Sequence, residues 1–192
     1  MEHKSGFVNI IGNPNVGKST LLNSMIGQDI SIITNKAQTT RHRIKGILSD
    51  KNYQIVFSDT PGIIKPAYKL QESMMQYVKS AFQDADVILY VVEIGEQGLK
   101  DEEIFEKIKK LKIPLIILLN KIDLVSQDKV LLEIENWKRK FSKAIVLPIS
   151  ALNKFNINEI IDAIVEVLPI SPPYYSKDDV TDKSERFFIE EI

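Results

Sequence analysis

The densest chemistry in this chain lies in eight consecutive residues: Gly12, Asn13, Pro14, Asn15, Val16, Gly17, Lys18 and Ser19. They follow an apolar run and spell G-x-x-x-x-G-K-S, the pattern of a loop that wraps phosphate. Two glycines give backbone angles that other residues resist and let main-chain N–H groups close on an anion. Lys18 supplies a point charge for the outer phosphates and Ser19 a hydroxyl for Mg2+. Thr20 follows in the first turn of a helix whose N-terminal end is electropositive.

Three further stretches narrow the ligand. Asn120, Lys121, Ile122 and Asp123 come about a hundred residues later, at the end of an apolar run. A carboxylate at Asp123 accepts both the ring N–H and the exocyclic amine of guanine, whereas adenine offers neither. A site built on such hydrogen bonds rejects the analogue strongly. Ser150, Ala151 and Leu152 follow the next apolar run, where their backbone N–H groups can meet the ring carbonyl. Asp59, Thr60, Pro61 and Gly62 end another: Asp59 can hold a water on Mg2+ and the Gly62 N–H can sense a terminal phosphate. Residues 36–45 carry four Lys or Arg and no acid. Within them Thr40, in preference to Thr39, is expected to close over the metal and the third phosphate, ordering the segment before hydrolysis and releasing it afterwards.

The elements that must hold these residues follow from apolar spacing. Residues 7–11 read as a buried strand, and 18–26 as a helix capped by Gly27. Residues 43–49 and 53–58 form two strands across a three-residue turn, hence an antiparallel pair. Residues 87–92 and 115–119 are uninterrupted β-branched and leucine runs, as in strands covered on both faces; 144–149 is a shorter strand. Helical periodicity marks 70–82, 101–111, 127–141 and 157–168. Such alternation predicts an α/β fold of three layers, with a mostly parallel six-stranded sheet, one antiparallel edge strand and helices on both faces. All the phosphate- and base-directed residues then fall at the carboxyl ends of strands, where such sheets bind ligands. Pro169, Pro172 and Pro173 stop the last helix. The expected division is a domain over 1–170, a linker over 171–183, and over 184–192 an amphipathic helix (Phe187, Phe188, Ile189, Ile192) that begins a second, truncated domain.

Composition fits one domain and little more: 192 residues, 44% of them apolar, enough for a sizeable core. With no cysteine there are no disulfides and no thiolate-bound metals, as suits a cytoplasmic protein. No run reaches the roughly 20 apolar residues of a bilayer span, and the polar start reads as no signal peptide. The 25 basic and 26 acidic residues exclude a surface that binds nucleic acid all over. The basic end of the 127–141 helix, Lys138 to Lys140, suits a helix C-terminus, and residues 96–103 read as a solvated loop and helix start.

Taken together, GNPNVGKSTLLN, KAQTTRHR, DTPG, NKID and SAL resemble the Ras-like P-loop GTPases, and within them the Era family of ribosome-assembly GTPases. The resemblance spans roughly residues 5–170. It implies GTP and GDP as ligands with Mg2+ bound by Ser19, Thr40 and Asp59. It implies slow GTP hydrolysis served by Lys18, Thr40, Gly62 and Asn15, and nucleotide contacts from residues 12–20, 59–63, 120, 121, 123 and 150–152. A C-terminal KH domain, absent here, would bind small-subunit ribosomal RNA and the ribosomal subunit, and the protein would also associate peripherally with the inner membrane. Two departures stand out. Ile63 follows Gly62 where many Ras-type relatives place a glutamine that orients water, and a hydrocarbon orients none. No arginine has a clear claim on the third phosphate: Arg41, His42 and Arg43 suit a solvated or RNA-facing role better. Related GTPases with an asparagine at the position of Asn15 use it to help hold K+ in place of the missing arginine. A docking module that binds GTP without hydrolysing it, and a GTPase of the tRNA-modifying kind, stay open as alternatives.

Overall fold

Two strands with almost no polar residue sit at the centre, because only a position covered on both faces suits such runs. These are β4 (Val87–Glu93) and β5 (Leu115–Asn120), every residue of which from Val87 to Val92 and from Ile116 to Asn120 is buried. The computed structural model describes residues 2–31 and 44–181. Around the central strands lie β1 (Lys4–Ile11), β2 (Ile44–Ser49), β3 (Tyr53–Asp59) and β6 (Ile145–Pro148). The sheet order is β2-β3-β1-β4-β5-β6, parallel throughout except for β2, which runs antiparallel to β3 at the edge. The six strands and the single antiparallel edge are those expected from the sequence.

The helices are α1 (Lys18–Ile26), α2 (Lys69–Ala81), α3 (Glu102–Lys109), α4 (Gln127–Lys140) and α5 (Ile157–Val167). Each buries a stripe at helical spacing. Ile157, Ile160, Ile161 and Ile164 of α5 join Leu21, Leu22 and Met25 of α1 on one face of the sheet. Met74, Met75 and Val78 of α2, Ile104 and Ile108 of α3, and Trp137 of α4 cover the other. Gly27 ends α1 in a left-handed conformation at φ 78°, its N–H bonded to Asn23 O. Asp101 caps α3 by accepting the Ile104 N–H at 3.1 Å.

Chain order explains where a ligand can sit. After β1 the chain goes to β2 and β3 on one side, then crosses to β4 on the other. The loops leaving β1 and β4 therefore diverge and open a crevice at the strands' carboxyl ends. Register closes the geometry: Ile10 lies beside Asp59, and Glu93 beside Asn120. Asp59 and Asn120 thus flank the start of the loop after β1.

Two features differ from the sequence expectation. β1 begins at Lys4, three residues early, because Lys4 N–H bonds Asn52 O at 3.0 Å and Ser5 N–H bonds Pro169 O at 3.2 Å; backbone pairing carries a strand through residues with no apolar signal. The described part of the expected linker is also bound to the domain. Buried Gln54 accepts the N–H groups of Tyr174 and Tyr175 at 2.7 and 2.9 Å, and the Ile47 N–H of β2 reaches Val180 O at 2.8 Å. That segment shields the exposed edge of β2, which an open sheet must protect. Residues 182–192 lie outside the described residues.

Beneath α4, Tyr90 packs edge-on to Trp137 with ring centroids 5.5 Å apart. Its hydroxyl is buried and has no hydrogen-bond partner among the described residues. Burial, with a smaller contribution from the Glu96 carboxylate, drives its pKa upward. Tyr90→Phe is expected to stabilise the protein by about 1 kcal/mol, since an unmet polar group is removed without loss of ring packing. Urea unfolding measures this; a loss of stability instead would show that the hydroxyl is satisfied, for instance by a trapped water.

Candidate functional site

The loop between β1 and α1 is bent by three residues with positive φ: Gly12 at 154°, Asn15 at 64° and Gly17 at 98°. A side chain at Gly12 would strike the Val91 carbonyl, and one at Gly17 would strike Asn120. Asn15 is exposed at the crest, in the left-handed region that asparagine tolerates. Val16 is buried and pins the crest to the core. The loop curls around Lys18, only 7% exposed, whose ammonium donates to Asn13 O at 2.8 Å and Gly12 O at 3.3 Å. Burial lowers its pKa to about 8, against the pull of Asp59 and Glu96. Thr20, in the first turn of α1, is half-buried.

From the β3 side, Asp59 Oδ2 accepts Ser19 Oγ at 2.7 Å and Ser31 Oγ at 2.8 Å. Thr60 is buried and donates to Ile10 O at 2.7 Å, which fixes the turn that follows. Pro61 continues that turn, and Gly62 lies against Pro14: an added Cβ would stand 2.8 Å from its Cα. Ile63, expected from the resemblance among the nucleotide contacts, turns its side chain fully into the core beside Met74 and Met75 and gives its N–H to Gly12 O at 2.9 Å. Its side chain and its N–H are thus both engaged within the domain, and the N–H bond ties the Gly62 turn to the loop after β1.

Asn120 joins this phosphate side to the base side. Its amide donates to Val16 O at 2.7 Å and accepts the Ala151 N–H at 2.9 Å. The Ala151 N–H, expected to face a ring carbonyl, is therefore engaged by Asn120, while Leu152 beside it is exposed. Lys121 adopts φ 66° and bonds Glu93 Oε2 at 2.6 Å. A short 3-10 turn, Ile122–Leu124, lifts Asp123 to the surface, where Ser150 Oγ holds its Oδ1 at 2.6 Å. The carboxylate is exposed and oriented, ready for a ligand donor.

The sequence had no signal for three residues of this site. Asn23 accepts the N–H groups of Ile30 and Ser31 at 3.1 and 2.9 Å and so carries Ser31 to Asp59. Glu93 holds Lys121. Glu96, expected in a solvated loop, is half-buried and accepts Asn13 Nδ2 at 3.1 Å. Burial pushes its carboxyl pKa up, and the Asn13 side chain and the Glu93 N–H act the other way. Thr40, with Thr39, Arg41, His42 and Arg43, lies outside the described residues.

Ser19 and Asp59 offer oxygen donors side by side at a helix N-terminus, which suits a hard divalent ion such as Mg2+. Among the described residues no group of three or more His, Cys, Asp or Glu could hold a metal unaided.

A mostly parallel sheet with a phosphate loop after its first strand, an aspartate opposite and a base-reading loop one crevice away is the arrangement of Ras-like P-loop GTPase domains. Residues 7–121 match the model of the 50S ribosome-binding GTPases, and the chain belongs to that family. It is 45% identical over 192 residues to GTPase Era of Staphylococcus haemolyticus, covering all of this chain and 64% of that relative. Two solved Era structures superpose with a TM-score of 0.92: one bound to MgGDPNP and nucleotides 1506–1542 of 16S ribosomal RNA, at 40% identity, and a point variant from Aquifex aeolicus bound to GDP and AlF4-, at 39%. Each covers 98% of this chain, and this chain covers 65% of each. No helix among the described residues is long and apolar enough to cross a membrane.

Asn120→Ala would strand a buried carbonyl at Val16 and a buried N–H at Ala151, each costing about 1–3 kcal/mol. The expected outcome is a loss of about 2–4 kcal/mol in urea unfolding of the nucleotide-free protein. Unchanged stability would mean that the two loops do not depend on this side chain.

Proposed function

We propose that this chain binds GTP and hydrolyses it to GDP and phosphate, as the switch domain of an Era-type protein in small ribosomal subunit maturation. The observation that carries this is the pair of hydrogen bonds from Asn120. They tie the loop after β1 to the loop after β6, the two segments that this reading assigns to phosphate and to guanine. Contact with small-subunit ribosomal RNA, seen in the Era complex, is assigned to residues of such proteins beyond the matched length. With that partner, its place of work is the cytoplasm.

In this mechanism the loop N–H groups and the first turn of α1 cradle the phosphate chain, and Lys18 turns from loop carbonyls to phosphate oxygens. Ser19 would hold Mg2+ directly and Asp59 would do so through a water. When bound, the ion neutralises charge growing on the transferred phosphoryl group. Thr40 is assigned to close over the third phosphate. Asp123 takes the two guanine donors with Ser150 fixing its orientation, and Gly62, held over Pro14, presents its N–H to the third phosphate. The attacking water finds no side chain at Ile63, so intrinsic turnover is slow and Asn15 is assigned a K+ ion that supplies positive charge beside the phosphates.

Calorimetry should show GTP binding far more tightly than ATP, and Asp123→Asn should shift preference toward xanthosine nucleotides; equal heats for GTP and ATP would defeat the reading. Restoring a phosphate partner to Lys18 raises its pKa from about 8. Binding at pH 8.5 should therefore take up roughly half a proton or more, and at pH 6.5 almost none, as read from heats in buffers of different ionisation enthalpy. A second reading, a GTP-dependent docking module without hydrolysis, rests on the burial of Ile63. Single-turnover rates in KCl and in NaCl at equal ionic strength separate the two: K+-stimulated release of phosphate supports the enzyme, and none in either salt supports the module.

A further inference from the structure

Resting on that reading, we propose that Glu96, acting through Asn13, is a positioning residue for the phosphate loop, and that residues 93–100 form a strut joining its phosphate-binding and base-binding halves. Asn13 is 2% exposed, and its side chain is bonded to the segment that follows β4. Both of its side-chain donors and its carbonyl oxygen are engaged by this one segment. Nδ2 donates to Glu96 Oε1 at 3.1 Å and to Gly98 O at 3.0 Å, and Oδ1 accepts the Lys100 N–H at 3.0 Å. Reversing the amide would set donor against donor at Lys100 and oxygen against oxygen at Glu96 and Gly98. Residue 13 thus has one orientation, and its carbonyl is the nearer acceptor of Lys18 Nζ.

The segment's other end grips the base side. Glu96 Oε2 accepts the Glu93 N–H at 3.2 Å, Glu93 Oε2 holds Lys121 Nζ at 2.6 Å, and the Ile94 N–H bonds Asn120 O at 3.0 Å. A half-buried carboxylate therefore ties together the residue that seats Lys18 and the loop that carries Asp123. Glu96 touches no ligand in this scheme. Its effect on nucleotide passes through Asn13, and preorganisation of a binding loop shows up as affinity.

The test is a double-mutant cycle on GDP binding. Glu96→Ala and Asn13→Ala should each raise the dissociation constant about tenfold, and the double variant should also raise it about tenfold rather than a hundredfold, because one link has been cut twice. Glu96→Gln, which keeps one acceptor oxygen, should fall between parent and Glu96→Ala. Gln97→Ala, in the same segment but bonded only to Lys140 on α4 and to Gly95, should match the parent. A merely structural role predicts a different result: lower thermal midpoints for the nucleotide-free variants with dissociation constants within twofold of the parent. That outcome, or fully multiplicative effects, overturns the proposal while leaving GTP binding intact. If Glu96→Ala does not fold, Asn13→Ala and Glu96→Gln decide by the same twofold criterion. A parent that binds no GDP removes the functional reading and this inference together.

Discussion

The rest of the site is arranged around one desolvated charge. Lys18 sits almost out of water with two main-chain carbonyls as its bonded partners, and burial holds its pKa near 8. A carbonyl dipole compensates an ammonium less well than an anion does, so the buried charge is only partly compensated. This accounts for the loop's composition. Gly12 and Gly17 take positive φ in the loop whose Gly12 and Asn13 carbonyls turn inward to Lys18. Asp59 and Glu96 draw its pKa upward, against burial, without bonding to it. An acid in direct contact would neutralise the lysine and compete with the ligand.

The same need for precision explains why the loops are cross-braced rather than free. Loops over an open sheet tend to drift. Here the loop after β1 is held by Asn120 from β5, by Ile63 N–H after β3, and by the segment after β4. Each brace ends on a backbone group or a side-chain amide. Such bonds set distance and angle together, as loop-mounted binding groups require. Gly62 against Pro14 extends the scheme, because only a residue without a side chain lets the β3 turn lie on the phosphate loop.

Much of this was legible in the residues, and the limits have a physical cause. The six strands, the antiparallel edge and the Gly27 cap follow from spacing along the chain, which a local pattern records. Lys18, Asp59 and Asp123 were expected at the carboxyl ends of strands from the apolar runs that precede them, and the strands do end there. The bracing was not. Asn13 meets Glu96 across 83 residues, and a buried amide has no periodicity to betray it. The hold of Gln54 on residues 174 and 175 was hidden for the same reason, since it is made through backbone atoms of a segment whose side chains look like a linker's. The start of β1 at Lys4 shows that backbone pairing alone can extend a strand. For Ile63 the lack of a water-orienting side chain was plain in the sequence; its full commitment to the core became visible only when the strand ends were placed.

That commitment bears on how such a domain would be regulated. A glutamine after Gly62 would need freedom to swing toward a water. The isoleucine is instead packed among Ile11, Met74 and Met75, beneath the helix that follows. Movement of the Gly62 segment toward a third phosphate would therefore pull on α2 through this core rather than through a side chain in the site. Packed cores shift between discrete arrangements instead of deforming smoothly. The buried isoleucine thus joins the Gly62 turn to the core that α2 covers.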